Sequence, residues 1–169
     1  TGGLRCEATE PMQRAFNTGS QVVYLPQADY ILASTVTIGS GTSHFLGMQS
    51  TILSCGVRFD DAQAPTPVLE VTDRALGPNA ESNLHDSVWL EDINFFQYTD
   101  SARFCGYRAP AGSVAIEHRT QRALVLRHLA LGGVGHLGIQ SASLVATLPQ
   151  IGDLFVEDIY GGKMVFGGG

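Results

Sequence analysis

The chain has 169 residues, enough for one domain with a buried core. Only 15% of the residues are charged and twenty are glycine, which disfavours a helical bundle with its charged faces and suits short strands joined by tight turns. Sixteen acids against ten bases, of which Lys163 alone is lysine, give a net charge of −6; the basic patch that a nucleic-acid partner requires is missing, and no apolar run reaches the roughly 18–20 residues of a membrane span.

Thr1-Gly2-Gly3 and Gly167-Gly168-Gly169 read as cut ends, so the expectation is the N-terminal part of a longer solenoid filling residues 1–169. The first predicted element is a short helix over 9–17. Thr9 is placed as its N-cap, Pro11 falls in the first turn where a missing N–H is harmless, and Met12, Ala15 and Phe16 share a face. Gly19 ends it. Short β-rich runs follow: Val22–Leu25, Tyr30–Leu32, Val36–Ile38, His44–Leu46, Thr51–Leu53, Val68–Val71 and Val88–Leu90, then Val114–His118, Leu124–Leu126, Leu137–Ile139 and Leu154–Val156. Thr72–Ser87 and Gln97–Gly112 are the longest candidate loops. Many short strands and little helix argue an all-β chain.

Three segments align without gaps: Val88–Phe95, Leu124–Leu131 and Leu154–Gly161. Each carries two polar residues where strict alternation allows one, so each strand bends there. Asp92, His128 and Asp158 occupy the bend, and these residue types tolerate the left-handed backbone region. The offsets are unequal, which stacked repeats tolerate because only the strands must align. Stacking at about 4.8 Å would set Arg127 between Glu91 and Glu157, as a salt-bridge ladder or as a polar stripe facing a carbohydrate. In the same alternation Trp89 points outward if Leu90 points in. An outward Trp stacks on a sugar ring or lies under a loop such as Thr72–Ser87.

Other chemistry finds little purchase. Cys6, Cys55 and Cys105 match no metal spacing; they are either one disulfide, Cys6–Cys55, with a free thiol, or three thiols. Glycoside hydrolysis needs two converging carboxyl groups, and Asp60-Asp61, Glu91-Asp92 and Glu157-Asp158 are sequence pairs whose members point to opposite faces of a strand. Asp92, Glu157 and Asp158 are the catalytic candidates across strands, with turn-forming acids as the alternative. Trp89, Glu91 and Arg127 are the substrate-binding candidates. Arg119, Arg122 and Arg127 suit an acidic sugar or simple pairing with acids. His118 and His128 lack further zinc ligands and read as turn or surface residues. No acid cluster resembles a calcium loop. Gly39-Ser40-Gly41 is no nucleophile elbow, and the glycines of 132–135 and 161–162 read as turns. No metal and no cofactor is expected.

The stretch Gln21-Val22-Val23-Tyr24-Leu25-Pro26-Gln27-Ala28-Asp29-Tyr30-Ile31-Leu32, with Glu7-Ala8-Thr9 before it and Phe45-Leu46-Gly47 after it, resembles the opening of pectate-lyase-like parallel β-helices. Ala28 replaces the glycine usual in that turn. Gly152-Asp153-Leu154-Phe155-Val156-Glu157-Asp158-Ile159-Tyr160-Gly161-Gly162 is similar to a rung of laminarinase-type proteins, which act on β-1,3-glucan. The resemblance implies a right-handed parallel β-helix with the helix plugging one end. It further implies an extracellular or cell-surface protein, part of a polysaccharide hydrolase or lyase. It carries over no catalytic residue. The alternative is a non-enzymatic structural, adhesive or self-associating solenoid, with Met164-Val165-Phe166 as an exposed edge.

Overall fold

The computed structural model describes residues 5–54, 66–76, 87–97, 114–133, 138–142, 152–161 and 163–167. It is all-β, with parallel sheets and one short helix. After β1 (Arg5–Glu7) comes α1 (Thr9–Asn17), then β2 (Val22–Leu25), β3 (Asp29–Leu32), β4 (Val36–Ile38), β5 (His44–Ser54), β6 (Pro67–Thr72) and β7 (Ser87–Gln97). The last five strands are β8 (Val114–Arg119), β9 (Ala123–Gly133), β10 (Gly138–Ala142), β11 (Leu154–Gly161) and β12 (Lys163–Gly167). The longer sheet runs β1-β3-β5-β7-β9-β11, with β2 also on β5, and the shorter runs β12-β10-β8-β6-β4. From β3 onward the chain therefore passes from one sheet to the other at each step, and both sheets advance in the same direction.

The helix forms where its apolar face was expected: Met12 and Phe16 are buried and Ala15 packs against them. Phe16 meets Phe45 edge-on at 5.1 Å, an aromatic pair worth about 0.5–1.5 kcal/mol beyond its buried area. The amide of Gln13 donates to Thr37 O and accepts from Thr37 N, which fastens α1 to β4. Thr9 is not the N-cap. Ala8 holds that place, and the Thr9 hydroxyl accepts from Ala33 N at 2.8 Å, a tertiary tie in place of a local cap. Gly19 ends the helix with a φ of 73°, a left-handed conformation that suits glycine.

The long strands bend at one residue each. Gln49, Asp92, His128 and Asp158 have φ of 56°, 56°, 51° and 52°. The last three are the bend residues the sequence alignment selects. Because of the bend, the runs His44–Leu46 and Thr51–Leu53, read as separate strands, form one element, β5. It pairs with β2 before the bend and with β3 after it. Gly132 and Gly133, read as a turn, instead close β9 opposite Phe96 and Gln97.

Register makes the core a set of columns. Val23, Phe45, Leu90 and Leu126 follow one another across β2, β5, β7 and β9, all buried. Val36, Leu69 and Ile116 do the same in the shorter sheet, as do Ile38, Val71 and His118. His118 is thus a fully buried core residue and no turn or surface group. Its Nε2 lies 3.1 Å from Arg122 O, and burial lowers its pKa below the usual histidine value.

Arg122 is the second buried polar centre. Its guanidinium donates to Thr42 O and Thr72 O at 2.9 Å, to Gly39 O at 3.2 Å and to Ser40 O at 3.3 Å. Nε donates to Thr120 Oγ1 and lies 3.4 Å from Asp73 Oδ1. One side chain thereby holds three inter-sheet connections together. Gly152 passes so close to the Arg122 carbonyl that a Cβ would overlap it.

Cys55, Cys105, Asp60 and Asp61 lie outside the described residues, as do most of Thr72–Ser87 and Gln97–Gly112.

Candidate functional site

The alternation that buries Leu90 and Leu126 turns their neighbours outward. Two columns result on the outer face of the longer sheet. One runs Val22, His44, Trp89, Val125, Phe155, and the other Tyr24, Leu46, Glu91, Arg127, Glu157. Tyr24 is 64% exposed and Phe155 55%, so the face presents aromatic surface to solvent. Trp89 does face outward and is half-buried. Its ring stacks on His44 with 5.9 Å between centroids and 12° between planes. The Arg127 guanidinium stands 6.0 Å from its centroid, at the edge of cation–π range. Ser87 Oγ accepts from Trp89 Nε1 at 2.9 Å, which satisfies the indole N–H.

The substrate-binding candidates Trp89, Glu91 and Arg127 are therefore neighbours. Arg127 bridges two strands at once: Nη1 is 3.0 Å from Glu91 Oε1 and Nε 2.8 Å from Glu157 Oε2. Glu157 foremost, and Glu91 after it, raise the Arg127 pKa above its ordinary value, against a smaller lowering by burial. The guanidinium, charged at any working pH, stays paired.

The catalytic candidates are brought near each other but not to convergence. His128 lies between Asp92 and Asp158, with Nδ1 3.3 Å from Asp92 Oδ1 and Nε2 3.4 Å from Asp158 Oδ2. Two strand spacings separate the acids, roughly 9–10 Å, near the upper end of the range for an inverting glycosidase. The imidazole fills the gap that a water and sugar would need. Glu157 is taken up by Arg127. Each of the three carboxylates thus has a basic side chain within 3.4 Å, and acids alternate with bases across the bends.

A further assembly depends on register that the sequence does not display. Glu70 and Glu117 are partners on β6 and β8, and Arg119 joins them, Nη1 at 3.3 Å from Glu70 Oε1 and Nη2 at 2.9 Å from Glu117 Oε1. Thr37 Oγ1 donates to Glu70 from β4. Both faces of β8 are buried, and Glu117 is 4% exposed. Burial raises its pKa, with Arg119 opposing the shift and Glu70 adding to it. Glu117 is sealed from a polymer-sized ligand. The only hint in sequence is a glutamate inside the run Val114–His118.

An apolar hollow of about 190 Å³ lies between α1 and β2, lined by Pro11, Met12, Tyr24, Tyr30 and Phe45 among others. That is below the 300–1,000 Å³ of ordinary ligand pockets. Among the described residues no group of three or more His, Cys, Asp or Glu side chains could hold a metal ion, and no helix is long and apolar enough to cross a membrane.

No family model, curated protein or solved structure matches this chain.

Proposed function

We propose that the chain is a right-handed parallel β-helix, or part of one, belonging to an extracellular or cell-surface polysaccharide hydrolase or lyase. On this reading the outer face of the longer sheet binds an extended polysaccharide. The step-by-step passage of the chain between two parallel sheets supports the coil. The observation that carries the binding role is the half-buried indole of Trp89 on the outer face, in a row of side chains repeated at the strand spacing that also presents the exposed Phe155 ring. Such a row matches a polymer in register, and an aromatic face suits the apolar face of a pyranose ring.

The charge of the face narrows the polymer. Glu91, Asp92, Glu157 and Asp158 outnumber Arg127, so a polyuronate meets net repulsion and a neutral glycan does not. Affinity electrophoresis through gels holding a neutral β-glucan or polygalacturonate tests this. Retardation by the glucan alone, weakened about tenfold or more in Trp89→Ala, is the expected result, since a stacked indole is worth upwards of ~1.4 kcal/mol. Equal retardation of Trp89→Ala, or none of the native chain, rejects the binding face.

A non-enzymatic module is the second reading, favoured by the pairing of every candidate acid with a base. Release of reducing or unsaturated ends by the native chain would decide against it.

A further inference from the structure

Trp89 is the single tryptophan of the chain, and Ser43 and His44 hold it from the β5 side. The backbone N–H of Trp89 donates to Ser43 O at 2.8 Å, which sets its place along the strand. Its ring lies against that of His44, its register partner, with 5.9 Å between centroids and 12° between planes. Ser43 Oγ lies 3.0 Å from His44 Nδ1 and so holds the imidazole in turn.

Parallel rings in contact stand about 3.5–4 Å apart, plane to plane. A centroid separation of 5.9 Å is therefore a slipped stack, in which the imidazole covers part of the indole and leaves part free of it. On the β9 side the Arg127 guanidinium is 6.0 Å from the indole centroid and is itself held by Glu91 and Glu157. Turning the indole would break the His44 stack and the bond from Nε1 to Ser87 together. Neither ring belongs to the core. Both are half-buried on the outer face, while their chain neighbours Phe45 and Leu90 are the ones fully buried. The stack thus orders a surface side chain and contributes little to the interior.

We propose that His44 is a positioning residue for Trp89: its flat ring holds the indole in the orientation in which the outer face receives a neutral glycan. This role rests on the reading of that face as a glycan-binding surface. A side chain that is already ordered gives up less freedom when it binds, and the loss avoided corresponds to roughly two- to tenfold in affinity. The effect of His44 is accordingly smaller than that of Trp89, which itself meets the sugar.

The test is made on the whole chain, by affinity electrophoresis in the neutral β-glucan gel and by acrylamide quenching of the Trp89 fluorescence without glycan. His44→Ala and His44→Asn both remove the ring. Each is expected to bind the glucan roughly two- to tenfold more weakly than the native chain, with Trp89 measurably more open to the quencher. His44→Phe restores a flat ring and should recover both values. Thermal melts by circular dichroism confirm that the variants are folded. Where the native chain is retarded and Trp89→Ala is not, native-strength binding by the ringless variants overturns the positioning role and leaves the binding face standing. Unchanged quenching overturns it too, because the indole then keeps its place without His44. Weakened binding that His44→Phe does not recover assigns His44 to direct contact with the sugar, and this also overturns the role. No retardation of the native chain, or equal retardation of Trp89→Ala, removes the face and the role with it, whatever the quenching shows.

Discussion

Arg122 and Arg127 sit five residues apart and meet opposite fates. Arg122 is 3% exposed and spends its guanidinium on four backbone carbonyls, a threonine hydroxyl and Asp73. Arg127 lies a third exposed between two glutamates. Burial lowers the pKa of the first, against Asp73, while the carboxylates raise that of the second. The same residue type is a structural centre where water is excluded and a tunable surface charge where it is not. Desolvation makes the difference, since a buried group that loses its partner cannot recover it from solvent.

The comparison is broken most severely at Arg122. Arg122→Ala strands the carbonyls of Gly39, Ser40, Thr42 and Thr72 and takes the cation from beside Asp73, which keeps Thr120 Oγ1 and Gln121 N as donors; removal of one partner from a buried charged network costs about 3–5 kcal/mol. Urea unfolding followed by far-UV circular dichroism should show a loss of that size. Arg122→Lys should recover only a small part, because an ammonium cannot span four carbonyls in a plane. Gly152→Ala comes next. Its new methyl meets the Arg122 carbonyl, which belongs to backbone and cannot swing away, so about 1–3 kcal/mol is expected.

A third contrast is in pH. Glu117 has a folded pKa above its ordinary 4.5. The folded state therefore holds that proton more tightly, and the stability this gives is complete below about 4.5 and lost as pH rises through the folded value. His118 has a folded pKa below its ordinary 6.5. Its contribution is present above about 6.5 and lost as pH falls toward the folded value. Melting temperatures of Glu117→Gln relative to the native chain should accordingly rise between pH 4 and 7. A flat difference across that range would mean that Arg119 cancels the burial.

These contrasts were unequally visible in the residues. The bend column and the Glu91–Arg127–Glu157 ladder were legible because three strands align without gaps and residue type announces the left-handed corner. Gln49 has the same φ but escaped. Glutamine carries no such signal, and β5 holds three residues between Leu46 and Ser50 where β7 has only Asp92 between Glu91 and Ile93. The Glu70–Glu117–Arg119 assembly joins residues 47 apart in sequence, and loops of unequal length conceal that register. Arg122 and His118 escaped for another reason: polarity argues for the surface, and only buried carbonyls reverse it, those of Gly39, Ser40, Thr42 and Thr72 for Arg122 and that of Arg122 for His118. For the binding face, alternation set Trp89 opposite Leu90 but left open which of them faces in, and the stacking on His44 required the pairing of β5 with β7.

The smallest effect is expected at Arg127, and there it should divide stability from binding. Arg127→Gln removes a partly exposed bridge, so the urea midpoint should fall only slightly, and less at 1 M salt. The face that remains is more acidic, since Glu91 and Glu157 lose their shared base. If this face binds a neutral glycan through Trp89, affinity for the glucan should change little beyond the lost contact with the indole, and exclusion of polygalacturonate should sharpen. If Arg127 is itself the anchor for an acidic sugar, the variant should lose uronate binding that the native chain possesses. One substitution, read in two gels and one unfolding curve, separates a charge ladder that supports the face from a charge that makes it a site.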